Sequence, residues 1–102
     1  MVNLNLYKIF KVVAEEKKIS KASEKLYISQ PAVSFAIKEL EKSLDQVLFI
    51  RKSKGVELTT FGTMLYNKIG NVIDIFDEAE IDAQNYTMLN EGMIRIGANS
   101  GN

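Results

Sequence analysis

The chain has 102 residues, a quarter of them charged and 46% hydrophobic, which suits one small globular domain with an appendage. It has no cysteine and no histidine, so disulfide, thiolate and imidazole chemistry are excluded. No apolar run approaches the roughly 20 residues that cross a bilayer, and MVNLNLYKIF lacks the parts of a signal peptide. The expected compartment is the cytoplasm of a bacterium, with no membrane partner.

The formal net charge of zero hides a segregation. Residues 1–60 carry ten lysines and Arg51 against seven acids, and residues 61–102 carry Lys68 and Arg95 against six acids. A basic front half suits a polyanion, with the acidic rear half facing away from it. Two ordinary solvated surfaces are the plainer account of the same charges.

In chain order, Leu6, Phe10, Val13 and Ala14 place an amphipathic helix from about Asn3, a plausible N-cap, to Lys17. Ser20 is expected to cap a short second helix whose apolar positions are Ala22 and Leu26. Tyr27 and Ile28 form a turn, and Ser29 caps a third helix with Pro31 in its first turn, where the missing amide costs nothing. Val33, Ile37, Leu40 and Leu44 form that helix's buried stripe. Pro31, Ser34, Phe35, Lys38 and Lys42 share the opposite face, and Gln30 leads the helix. An exposed phenylalanine on a mostly polar face makes sense if something covers it.

VLFIR and VEL alternate like two short strands around KSKG, with Gly55 supplying the positive φ of a hairpin loop. Arg51, Lys52 and Lys54 give that hairpin a basic tip. From Thr59, a good N-cap, a helical pattern runs to about Leu89. Its apolar residues Leu65, Ile69, Val72, Phe76, Ala79, Ala83 and Tyr86 recur at alternating steps of four and three, a coiled-coil seam best covered by a second copy. Gly92 is expected to end this helix and MIRIG to form a strand opening a further domain. The fold class is therefore mainly α: a winged helix-turn-helix of three helices and a two-stranded wing at residues 1–59, then a long linker or dimerisation helix at 60–90. Residues 91–102 are expected to begin an effector-binding domain that is missing from the chain.

ASEKLYISQPAVSFAIKELE at Ala22–Glu41, LFIRKSKGVELTTFG at Leu48–Gly62 and MIRIG at Met93–Gly97 occur in the order and spacing of one family. The chain, from Leu4 to Gly97, resembles the DNA-binding domain of LysR-type transcriptional regulators. The resemblance implies a sequence-specific regulator that reads an imperfect inverted repeat in double-stranded DNA. It also implies a homodimer through the linker helix and a tetramer of the full-length protein. No cofactor is implied for this part; a small-molecule effector is expected for the absent sensor.

Carried over residue by residue, the resemblance makes Gln30, Pro31 and Ser34 base-contacting positions at the leading end of the third helix, which lies in the major groove. Phe35 stands where many relatives carry arginine, and Ala36 where many carry a polar residue. Losing that arginine removes a guanine reader and points to a site richer in A and T, whose methyl groups Phe35 can touch. Ser29 and Lys38 are positioned for phosphate. Arg51 matches the wing arginine of the minor groove, with Lys52 and Lys54 at the tip; Lys21, Lys25 and Thr59 are further phosphate candidates. Taken singly, each is also readable as solvated surface, and Arg51 as an ion-pair partner of Glu57.

Nothing in the chain points to an enzyme: it has no phosphate-gripping glycine loop and no paired-acid motif. The alternative is a winged-helix interaction or dimerisation module without DNA binding. Acids on the recognition face are its expected sign, whereas Lys38 and Lys42 stand there. A molybdate-responsive type of winged-helix regulator is a third reading.

Overall fold

The computed structural model describes residues 3–96, with side-chain surroundings from Asn3 to Asn90. Its elements run α1 Leu4–Glu16, α2 Ile19–Leu26, α3 Gln30–Leu44, β1 Phe49–Lys52, β2 Gly55–Leu58 and α4 Thr60–Ile96. The expected three helices, two-stranded wing and long helix are all present.

Helix ends follow local chemistry. Asn3 caps α1 by accepting from the Asn5 amide at 3.0 Å, and Ser29 caps α3 by accepting from Ala32 N–H at 3.2 Å. Ser20 does not cap α2. The helix begins at Ile19 behind Lys18 with no side-chain cap, because half-buried Ile19 packs on the core from within the first turn. The Ser20 carbonyl instead satisfies the buried Ser23 hydroxyl at 2.8 Å. Lys17, Tyr27 and Asp45 close α1, α2 and α3 in the left-handed conformation, with φ of 64°, 58° and 54°.

Phe10, Val13, Ala22, Val33, Ile37, Leu40, Leu48 and Val56 form one buried cluster shared by the helical trio and the wing. The Phe10 and Phe49 rings meet at 5.5 Å. Ala36, placed among the variable helix positions from sequence, is also buried: its small side chain lets α3 approach its neighbours. Strands β1 and β2 are antiparallel, pairing Phe49 with Leu58 and Lys52 with Gly55.

Two glycines permit close approaches. A Cβ on Gly55 (φ +149°) would lie 2.2 Å from the Lys17 carbonyl, which accepts from Val56 N–H at 2.9 Å. A Cβ on Gly62 would lie 2.3 Å from the Leu48 carbonyl, which accepts from Thr59 N–H at 2.9 Å. The wing is thus fastened to α1 at one end and to α4 at the other.

Helix α4 departs from expectation in two ways. It passes through Gly92 to Ile96, where a strand over Met93–Gly97 was predicted. The described residues hold no other strand beside it, so continuing the helix satisfies backbone groups that a lone strand would leave bare. Gly97 and the rest of the expected next domain lie outside the described residues. Second, the predicted seam divides. Leu65 packs on the core of its own domain, Ile69 is half-buried, and the unpredicted Ile73 is buried at 2% exposure.

Beyond that contact, Val72, Phe76, Ala79, Ala83 and Tyr86 are exposed, as predicted for a stripe needing a partner. The molecule measures 59 × 24 × 21 Å, its length close to the roughly 55 Å expected of 37 helical residues. No described helix is long and apolar enough to cross a membrane.

Candidate nucleic-acid interface

The leading end of α3 stands free. Gln30, Pro31, Phe35 and Lys38 are exposed and Ser34 is half-buried, while Val33, Ala36, Ile37 and Leu40 turn inward. At about 100° per residue, Pro31, Phe35, Lys38 and Lys42 point directly away from the buried stripe. Gln30, Ser34 and Lys38, four residues apart, form the neighbouring ridge, which turns toward the wing.

That ridge and the wing enclose two shallow grooves. One, of about 330 Å³, is lined by Gln30 with Arg51, Lys52 and Lys54 of the wing and Lys18 and Ser20 of the α2 entrance. The other, of about 210 Å³, is lined by Ser34, Lys38 and Glu41 of α3 and Val47, Phe49 and Arg51. Arg51 borders both, so the wing arginine lies beside the helix residues singled out from sequence. Glu41 holds the two parts together: its carboxylate accepts from the amides of Leu48 at 2.7 Å and Phe49 at 3.4 Å, where β1 leaves the α3 turn.

The charged candidates separate into free and engaged groups. Among the described residues, Arg51, Lys54, Lys38 and Lys21 make no ion pair, whereas Lys52 pairs with Glu57 at 3.5 Å and Lys25 with Glu16 at 3.1 Å. The suspected Arg51–Glu57 pair does not form. Glu57 lies opposite Ile50 in the ladder and meets Lys52 on its diagonal. Thr59 is engaged as well: its hydroxyl donates to the Val47 carbonyl at 2.7 Å and accepts from Gly62 N–H at 2.9 Å. Thr59 therefore caps α4 and ties it to the wing, leaving no hydroxyl proton for a phosphate. Ser29 spends its oxygen on the α3 cap, yet sits exposed at the helix's positive end.

The charge segregation seen in sequence has a different outcome in space. The α4 acids do not simply face away; they are met by lysines of α1. Lys8 reaches Asp77 at 3.2 Å and Glu80 at 3.8 Å, and Lys11 reaches Asp74 at 3.4 Å and Glu15 at 2.8 Å. Lys8 also stands 4.8 Å from the Phe76 ring centre. The front half's surplus is partly consumed there, and the unpaired cations concentrate around α3 and the wing.

At this α1–α4 seam, burial pushes the Glu15 carboxyl up. Hydrogen bonds from Lys11 and Tyr66, with the nearby lysine charges, more than reverse this and hold it below its ordinary value. The bonds to Glu15 also raise the Lys11 ammonium and the Tyr66 phenol above theirs.

Tyr27 lies in the turn expected from sequence, where it closes α2. It is 93% exposed in a left-handed conformation, two residues before the α3 cap. It places a bulky side chain at a helix end where glycine is the easy choice.

The same arrangement recurs in known proteins. Residues 4–63, more than half of the chain, match the model described as "Bacterial regulatory helix-turn-helix protein, lysR family". An uncharacterised HTH-type transcriptional regulator of Methanocaldococcus jannaschii is 35% identical over 97 residues, covering 95% of this chain and 33% of that protein. The HTH-type transcriptional regulator CysL of Bacillus subtilis is 35% identical over 94 residues, covering 92% and 31%. The chain thus spans about a third of the length of the curated relatives it matches. Among solved structures, the BenM DNA-binding domain in complex with catB site 1 DNA superposes with a TM-score of 0.76 at 29% identity, covering 84% of this chain and 97% of that one. Motif, wing and rod agree with these comparisons along most of the chain, and the protein belongs to the lysR family of bacterial regulatory helix-turn-helix proteins.

Proposed function

We propose that this chain is the double-stranded-DNA-binding part of a transcription regulator and has no enzymatic role. The leading end of α3 enters the major groove, and Arg51 with the wing tip meets the adjacent minor groove. The observation that carries this is the shared border of Gln30, Ser34 and Lys38 with Arg51. Exposed polar side chains of α3 and unpaired cations lie on one side of the helical trio, and a similar domain has been solved on DNA. Gln30 reads adenine through its amide, with Pro31 and Ser34 beside it. Lys38, Lys54, Lys21 and the Ser29 helix end position the backbone. Lys52 joins them if it leaves Glu57, an exposed pair of little worth.

Selection from a random duplex pool, followed by mobility shift, tests the reading. An inverted repeat is expected. Affinity should fall with salt at a log–log slope of about −7 if each of two protomers neutralises four phosphates. Failure to bind any duplex at low salt overturns the reading and favours an interaction module.

The same proposal makes the protein a homodimer joined along α4. Val72, Phe76, Ala79, Ala83 and Tyr86 support it: they form an apolar stripe that the small domain leaves exposed, with only Lys8 reaching over the Phe76 ring. Phe76→Asp should shift the mass in sedimentation toward the monomer; an unchanged mass argues against this seam. A tetramer, and a small-molecule sensor in the remaining two thirds of a relative's length, are proposals for the full-length protein.

A further inference from the structure

Phe35 is the least expected surface residue of α3. It is 65% exposed, points directly away from the buried stripe, and has Pro31 one turn before it and Lys38 nearly one turn after. Burying that ring stabilises a complex only if apolar matter covers it. On the DNA-binding reading above, on which this inference rests, the outward face of α3 meets the floor of the major groove. The apolar group displayed there is the C5-methyl of thymine.

We infer that Phe35, at its own position in the site, reads a pyrimidine C5-methyl group rather than a base pair. The reason lies in what the ring lacks. Arginine or glutamine recognises a base by donors and acceptors, and these differ between T·A and C·G. A phenyl ring has neither, so at its position it senses only whether a methyl is present. Helix α3 contains no arginine, and the wing's Arg51 lines a groove with Ser34 and Lys38 that Phe35 does not line. No guanine-reading fork therefore competes for that pyrimidine. A cytosine methylated at C5 presents the same methyl as thymine. Binding at this position should respond to cytosine methylation, and the unmethylated pyrimidines uracil and cytosine should be equally poor.

The test uses duplexes carrying the site recovered from the random pool. Each pyrimidine of one half-site is replaced in turn by T, deoxyuridine, 5-methylcytosine or cytosine, with the matching purine opposite. At one position, T and 5-methylcytosine should bind alike and about fourfold more tightly than U and C, the ratio expected for burying one methyl-sized group. Phe35→Ser should abolish the methyl dependence, while Lys38→Ala should weaken all four duplexes and keep it. Phe35→Arg should replace it with a preference for guanine. Equal affinity for all four bases at every position, or methyl dependence that survives Phe35→Ser, overturns the inference and leaves DNA binding standing. Failure to bind any duplex overturns the reading beneath it.

Discussion

The Tyr66 hydroxyl donates to the Glu15 carboxylate across 2.9 Å, joining α4 to α1 over 51 residues of sequence. With the Lys11–Asp74 and Lys8–Asp77 pairs and the packing of Leu65 on the core, this contact holds the angle at which the rod leaves the winged domain. In a dimer built along α4, the same angle sets the separation of the two recognition helices.

Glu15 is held below its ordinary 4.5, so its contribution to stability is present above that value and lost as pH falls through the lowered one. Tyr66 and Lys11 are raised above 10.0 and 10.5, so their contributions are intact below those values and lost as pH rises through the raised ones. Tyr66→Phe should cost no more than about 1 kcal/mol at pH 7, because the bond is exposed to water. It should also make the acid-side loss shallower, with one fewer bond holding the Glu15 carboxyl down. Urea unfolding of both proteins at neutral and acid pH checks this; identical acid sensitivity contradicts it.

Gly55→Ala should be far more damaging than a glycine-to-alanine change in an ordinary loop. The new methyl would collide with the Lys17 carbonyl at 2.2 Å, and the residue's φ of +149° is strained for any side chain. Either the Val56–Lys17 hydrogen bond breaks or the wing turns aside. A loss of about 1–3 kcal/mol is expected in thermal unfolding, with weaker DNA binding because Arg51 and Lys54 move with the hairpin. Wild-type stability in this variant would contradict the fastening described here.

Tyr27→Gly should stabilise the fold. A left-handed tyrosine costs about 1–2 kcal/mol relative to glycine, and at 93% exposure its ring recovers little by packing. A gain of about 1 kcal/mol in denaturant unfolding is expected, reduced by glycine's larger unfolded-state entropy. A destabilised variant would reveal packing by Tyr27 that its exposure denies.

The helical trio was legible from sequence because its signals are local: apolar periodicity, Asn3 and Ser29 as caps, Pro31 in a first turn, and Gly55 at a hairpin. The surface face of α3 was legible for the same reason, since whatever the stripe of Val33, Ile37 and Leu40 buries, the opposite residues must expose. What escaped depended on partners distant in sequence. Ser20 looked like a cap, but Ile19's packing started α2 earlier. Thr59 looked free to hold phosphate, yet Val47 claims its proton. The rod's period continued equally well through Val72 or Ile73, and only the position of α1 selects Ile73 for burial. Glu41 closes a family motif, but its tethering role was not legible, because its amide partners lie across a turn whose shape periodicity does not reveal.

The most direct test of base reading by α3 compares the parent protein and Gln30→Ala on two duplexes, the selected site and one of random sequence. A loss of about 1–3 kcal/mol is predicted on the selected site, with little change on random DNA. Equal weakening on both duplexes would mean that Gln30 touches only the backbone, contradicting the central claim that the leading end of α3 reads sequence.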